Sequence, residues 1–134
     1  MTAMTNYLED KLIGHVFMGV AYTMPSGLYV SLFTTMPTDL GNDGVEPSGG
    51  SYARQSAPPG ATGWTQTAGG AGKASNTALL TFTNMPACTV VGIGVWDALT
   101  GGNLLTFGTA AAPRTVVLGD AITVAAGGVS VTFA

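Results

Sequence analysis

Charge is what this sequence has least of. Four basic and seven acidic residues among 134 make 8% charged, against about 25% in an ordinary soluble domain. A folded monomer of 13.4 kDa exposes roughly 6,500 Å² by mass scaling, or one charge per about 600 Å² here. Free-standing domains carry charge partly to avoid sticking to one another. So sparse a coat fits either a neutral polar surface of Gly, Ala, Thr and Ser or a surface buried in an assembly, and we favour the assembly. The net charge is −3, and the bases Lys11, Arg54, Lys73 and Arg114 are scattered. No basic patch stands ready to neutralise phosphates, which argues against a nucleic-acid partner.

Other shortages exclude further classes. One cysteine, Cys88, cannot close an internal disulfide. Within "NMPACTVVG" it reads as a small buried hydrophobe. One histidine, His15, has no second His, Cys or carboxylate at ligand spacing on its helix. No G-x-S-x-G elbow, phosphate loop or dinucleotide fingerprint occurs. The expectation is a protein that is not an enzyme and holds no metal or cofactor. The apolar piece from Leu12 to Ala21 follows Glu9 and Asp10 and is too short to span a bilayer. The start "MTAMTNYLEDK" lacks the basic opening of a signal peptide. These features predict no membrane partner and a cytoplasmic origin.

What is present is pattern. Asn6 is placed to cap a helix, with Glu9 three residues on in a variant of the capping box. Leu8, Leu12 and Val16 repeat every four residues, with Ile13, Phe17 and Val20 beside them, and Gly19 is a stop. The period then changes to two. "LYVSLFT" (28–34), "SYARQ" (51–55), "NTALLTFTN" (76–84) and "TVVGIGVWD" (89–97) read as strands, the last placing Val91, Ile93 and Val95 together. "NLLTFGT", "TVVL", "AITVA" and "VSVTF" follow, with a hairpin signal at Gly127–Gly128. This predicts a mainly β protein: a β-sandwich or jelly roll of about seven to nine short strands with one N-terminal helix. Residues 1–134 form a single domain in this reading. The helix occupies 1–20 and the sandwich 28–134, with long Gly-rich loops at 38–50 and 57–75, the second carrying a short strand around Trp64.

The loop "TDLGNDGVEPSGG" (38–50) gathers three of the seven carboxylates. Against the calcium-loop pattern, Asp39, Asp43 and Gly44 fall at positions one, five and six, but positions three and twelve are Gly41 and Gly50. Without the bidentate glutamate a calcium site needs, the loop is not expected to bind a cation. Trp64 and Trp96 raise the question of a sugar platform, and core or interface packing is the stronger reading for both.

Three stretches together resemble a family of small tailed-phage virion proteins. "YLEDKLIGH" (Tyr7–His15) matches its opening helix, Leu28–Thr34 its first strand, and Glu46 with Ser48–Arg54 an acidic Gly-rich loop ending in Y-A-R. "IGVWDALTGGNLLTFG" (Ile93–Gly108) matches a second signature. The resemblance spans most of the chain, but not "APPGATGWTQTAGGAGKA" (57–74). Members are often labelled tail-fibre proteins, and they also resemble capsid cement proteins, small jelly rolls that staple shell subunits. The resemblance implies a virion structural protein without catalytic residues. The leading expectation is a cement or decoration protein on the outer capsid surface, after assembly from the host cytoplasm. Its partners would be the major capsid protein and copies of itself. The alternative is a tail-fibre or tail-tip module binding a host glycan. In either role Asp39, Asn42, Asp43, Glu46, Arg54, Arg114 and Trp64 are the expected partner contacts.

Overall fold

The computed structural model describes residues 3–67 and 72–133. Among these, one helix and ten strands alternate in the order β1 (Ala3–Met4), α1 (Asn6–Phe17), β2 (Tyr29–Phe33), β3 (Gln55–Ser56), β4 (Trp64–Gln66), β5 (Lys73–Asn76), β6 (Leu80–Phe82), β7 (Cys88–Trp96), β8 (Leu104–Val116), β9 (Ile122–Val124) and β10 (Ser130–Thr132). The protein is mainly β, as the alternating segments predict. All pairings are antiparallel. The main sheet runs β1-β8-β7-β2-β3, a second runs β10-β5-β4, and β6 pairs with β9.

One hydrophobic core joins the three sheets. Val30, Leu32, Val90, Val95 and Val116 come from the main sheet, Leu80, Phe82 and Ile122 from the β6–β9 pair, and Met85 and Val129 from the turns. Strand β2, between β7 and the short edge strand β3, is buried along most of its length, at Val30, Ser31, Leu32 and Phe33. A strand covered on both faces needs cover on both, and its second face gets it from the loop between β2 and β3. Gly44 and Gly94 pack on the Phe33 ring so closely that an added Cβ would sit 2.9 and 2.6 Å from it. Glycine at position 94 is therefore what lets the aromatic ring lie flat on β7.

Several local expectations are corrected. The helix is capped by Thr5, not Asn6: Thr5 Oγ1 accepts from the Leu8 amide and donates to the Leu104 carbonyl at 2.6 Å. A cap that also ties the helix to β8 wins over one that only faces water. In β7 the core-facing set is Val90, Ile93 and Val95 rather than Val91, Ile93 and Val95. The cause is a register jump: between Val90 and Gly92, β7 advances two positions while β8 goes from Arg114 to Thr109. Such an irregularity inverts the alternation on either side of it.

The segments "NLLTFGT" and "TVVL" join into the single strand β8 across Ala110–Pro113, whereas "NTALLTFTN" splits into the end of β5 and β6. The split is at Asn76, which is buried and donates from Nδ2 to the Ala78 and Ala125 carbonyls. Its Oδ1 accepts from the Val129 amide. Gly127–Gly128 is a turn, but the strands it joins part company, β9 going to β6 and β10 to β5. In the loop 57–75 the short strand expected around Trp64 is β4, the start of β5 lies there as well, and residues 68–71 lie outside the described residues.

Candidate assembly surface

The two motif-bearing stretches of the sequence meet around Arg54. Its guanidinium lies 3.6 Å above the centre of the Trp96 ring. Nε and Nη2 donate to the Glu46 carboxylate at 2.8–3.2 Å, and Nη1 donates to the Ala98 and Gly101 carbonyls at 2.9 and 2.8 Å. Glu46 also accepts from the Tyr52 hydroxyl at 2.7 Å, and that hydroxyl takes the Leu32 amide. Burial, opposed by the Leu32 hydrogen bond and reinforced by Glu46, pushes the Tyr52 phenol well above the ordinary tyrosine range, so it stays neutral.

The carbonyls that receive Arg54 belong to the β7–β8 turn. Asp97 pins that turn by accepting from the backbone and side-chain amides of Asn103 at 2.7 and 2.9 Å. Gly102 has φ +71, and a Cβ there would stand 2.5 Å from both Ala98 Cβ and Asp97 Oδ1. Trp96 is locked on its other side too, its Nε1 donating to Ser31 Oγ at 2.8 Å. Sequence reasoning missed this constellation because its two halves, Glu46–Arg54 and Trp96–Gly101, are far apart in the chain, Arg54 lying 44 positions from Ala98. A legible signal existed, since Glu46, Tyr52 and Arg54 sit in one alternating, otherwise almost uncharged stretch.

The expected contact residues are thus not one patch. Glu46 and Arg54 face each other, with only 23% and 8% of their side chains exposed. Asp43 is exposed and accepts from the Thr38 hydroxyl and amide, bonds that hold its carboxyl below the usual carboxylate range. Asp39 and Asn42 are exposed on the same loop, and the Asp39 carbonyl accepts from the Asn6 amide. Arg114 is exposed on β8 across from Val90. Trp64 is half-buried against the core on the far sheet, its Nε1 donating to the Ala57 carbonyl. Among the described residues, no three His, Cys, Asp or Glu side chains gather in metal-binding geometry.

The feature not foreseen is at the end of α1. Only Leu8 of the helix is buried. Ile13, Val16, Phe17 and Met18, then Val20 and Met24 beyond the Gly19 stop, are exposed by 54–78%. The apolar stripe read from the sequence is real as a pattern, but it runs off the protein after its first turns. His15 accepts the Tyr22 amide at Nδ1, and the Val20 amide returns to the Gly14 carbonyl, so the exposed segment is a folded one. No helix of the described residues is long and apolar enough to cross a membrane. Cys88 is half-buried against the core, and burial pushes its thiol up, away from nucleophilic reactivity.

No curated protein matches this chain. A family model described as podophage GP4 fiber I protein gp80 matches residues 3–132, almost the whole length. The chain belongs to that family of bacteriophage virion structural proteins.

Proposed function

We propose that the protein is a non-enzymatic packing module of the phage fibre assembly, held to its neighbour by the exposed apolar end of α1. The observation that carries this is the run of six large apolar residues from Ile13 to Met24 left uncovered beside a well-packed core. An exposed apolar patch of this kind marks an interaction site. The protein also exposes 7286 Å², more than the roughly 6,500 Å² expected of a compact monomer of its mass. The description of the family favours the fibre over the capsid shell. The cement reading is the second one: low charge and the exposed acidic tip of the 38–50 loop equally suit a clamp between major capsid subunits.

Location and copy number in intact virions separate the two, by labelling and quantitative gel densitometry. A small fixed number of copies at the tail supports the fibre module. Hundreds spread over the head would transfer the same docking surface to the shell. For the docking itself, Phe17→Asp is expected to leave folding intact and to remove the protein from particles. Normal incorporation of that variant would sink the proposal.

A further inference from the structure

The chain's single histidine is the polar tether of the segment that follows α1. The helix ends at Phe17 and β2 begins at Tyr29. The Val20 amide returns to the Gly14 carbonyl. Beyond it, from Ala21 to Gly27, there is one hydrogen bond among the described residues: the Tyr22 amide donates to His15 Nδ1 at 3.2 Å. Tyr22 and Pro25 turn inward, where with Leu8, Leu28 and Leu105 they wall an apolar hollow of about 270 Å³. Val20 and Met24 stay exposed, one just before and one within the tethered stretch. The tether therefore helps to set where part of the uncovered apolar surface stands.

Nδ1 accepts this bond only while the imidazole is neutral and carries its proton on Nε2. The imidazolium donates from both nitrogens, so protonation aims an N–H at the Tyr22 N–H and the bond is lost. Histidine is the side chain whose ordinary titration falls between pH 5 and 8. His15 is exposed, so water delivers the proton.

The groups that face it are few. Lys11 stands one turn earlier on α1, and Tyr7, Asp10, Lys11 and Tyr22 line the hollow between the helix and the tethered segment. Tyr22 also feels Tyr7 and Asp97. Of the strands packed on α1, β1 has no titratable side chain and β8 has Arg114 alone. Asp39 meets the opposite end of the helix through its carbonyl. Among the described residues no carboxylate lies within ion-pair distance of His15.

We infer that His15 is a pH-sensitive latch on the docking surface: its protonation lets the Tyr22 amide go, loosens Ala21–Gly27 and weakens docking. This rests on the reading of the α1 end as a docking surface. The direction follows from the bond, which is present when the imidazole is neutral and lost as pH falls. Carboxylates ordinarily titrate near 4 and tyrosines and lysines near 10. A window from pH 7.5 to 5.5 leaves those groups as they are.

The test uses the full chain at those two pH values with two readouts. One is the protection of the Tyr22 amide against hydrogen exchange by NMR, referred to the intrinsic rate at each pH. The other is binding to purified particles lacking the protein. In wild type both are expected to fall about threefold or more at pH 5.5, the worth of one ordinary hydrogen bond. His15→Asn puts an amide oxygen on Cγ where Nδ1 stands, so it keeps an acceptor throughout, and both readouts are expected to stay level. His15→Phe has no acceptor and is expected to be low at both pH values. His15 is exposed, so neither substitution opens the core.

A wild-type Tyr22 amide equally protected at both pH values overturns the inference and leaves the docking reading standing. So does falling protection with unchanged particle binding, because the bond would then break without consequence for docking. A fall in binding that His15→Asn shares in full would assign the response to other groups and overturn it as well. Normal entry of Phe17→Asp into particles would remove the docking reading itself, whatever the Tyr22 amide does.

Discussion

Arg54 has five N–H donors, and four of them meet acceptors: two on Glu46 and two on turn carbonyls. Its flat face meets Trp96. A guanidinium suits this place because it satisfies a fork and a ring at once, which an ammonium cannot. Removing it strands a carboxylate that is mostly covered, together with two carbonyls. Arg54→Ala is therefore expected to cost about 3 kcal/mol, the order found when one partner of a buried pair is deleted. Arg54→Lys keeps the charge and loses the fork and the stack, and it should recover less than half of that loss. Urea unfolding of the three proteins measures it. A cost for Arg54→Ala within the range of an exposed ion pair, below about 1 kcal/mol, would make the cradle an incidental surface contact.

At the scale of elements, the segment from Thr34 to Arg54 does two things. Thr35 and Val45 hydrogen-bond to each other's backbone, so the loop is folded back on itself and covers Phe33. Thr38 and Asp43 close its tip. Because the Asp43 carboxyl is depressed in the folded protein, the sign of its linkage is fixed. Its contribution is fully present above the ordinary aspartate range and disappears as pH falls through the lowered value. The principal cause is the Thr38 hydroxyl, so Thr38→Val is expected to move the Asp43 titration, followed by carboxyl carbon NMR, up toward the ordinary range. An unmoved titration would mean that the hydroxyl does not hold the loop tip in solution.

The same scale shows what the sequence could and could not tell. Strand β2 was legible because its short, mostly apolar run ends at turn formers, a pattern that also suits a strand buried on both faces. The cap at Thr5, the phase of Val90 and the corner at Asn76 were not. Each is decided by a partner distant in the chain: the Leu104 carbonyl, the β8 register and the Val129 amide. Short-range pattern carries no information about such partners.

For the whole molecule, low charge is the property that links composition to assembly. The sequence showed the deficit and an acidic loop, and made that loop the expected contact. It could not show that Glu46 and Arg54 satisfy each other, or that the apolar stripe of α1 ends in solvent. Those facts move the centre of the contact from charged groups to hydrocarbon, and the two kinds of contact respond oppositely to salt. Raising NaCl from about 0.05 M to about 0.5 M shortens the screening length from roughly 14 Å to roughly 4 Å. An interface carried by Asp39, Asp43 and Arg114 would weaken by more than tenfold over that range, because exposed pairs are the ones that salt screens. An interface carried by Phe17, Met18 and Val20 has little charge to screen, and excluded salts strengthen apolar burial if they act at all. Binding to purified particles lacking the protein is expected to change by less than about threefold across the series. A steep loss with salt would return the contact to the acidic loop and leave the exposed helix end without an occupant.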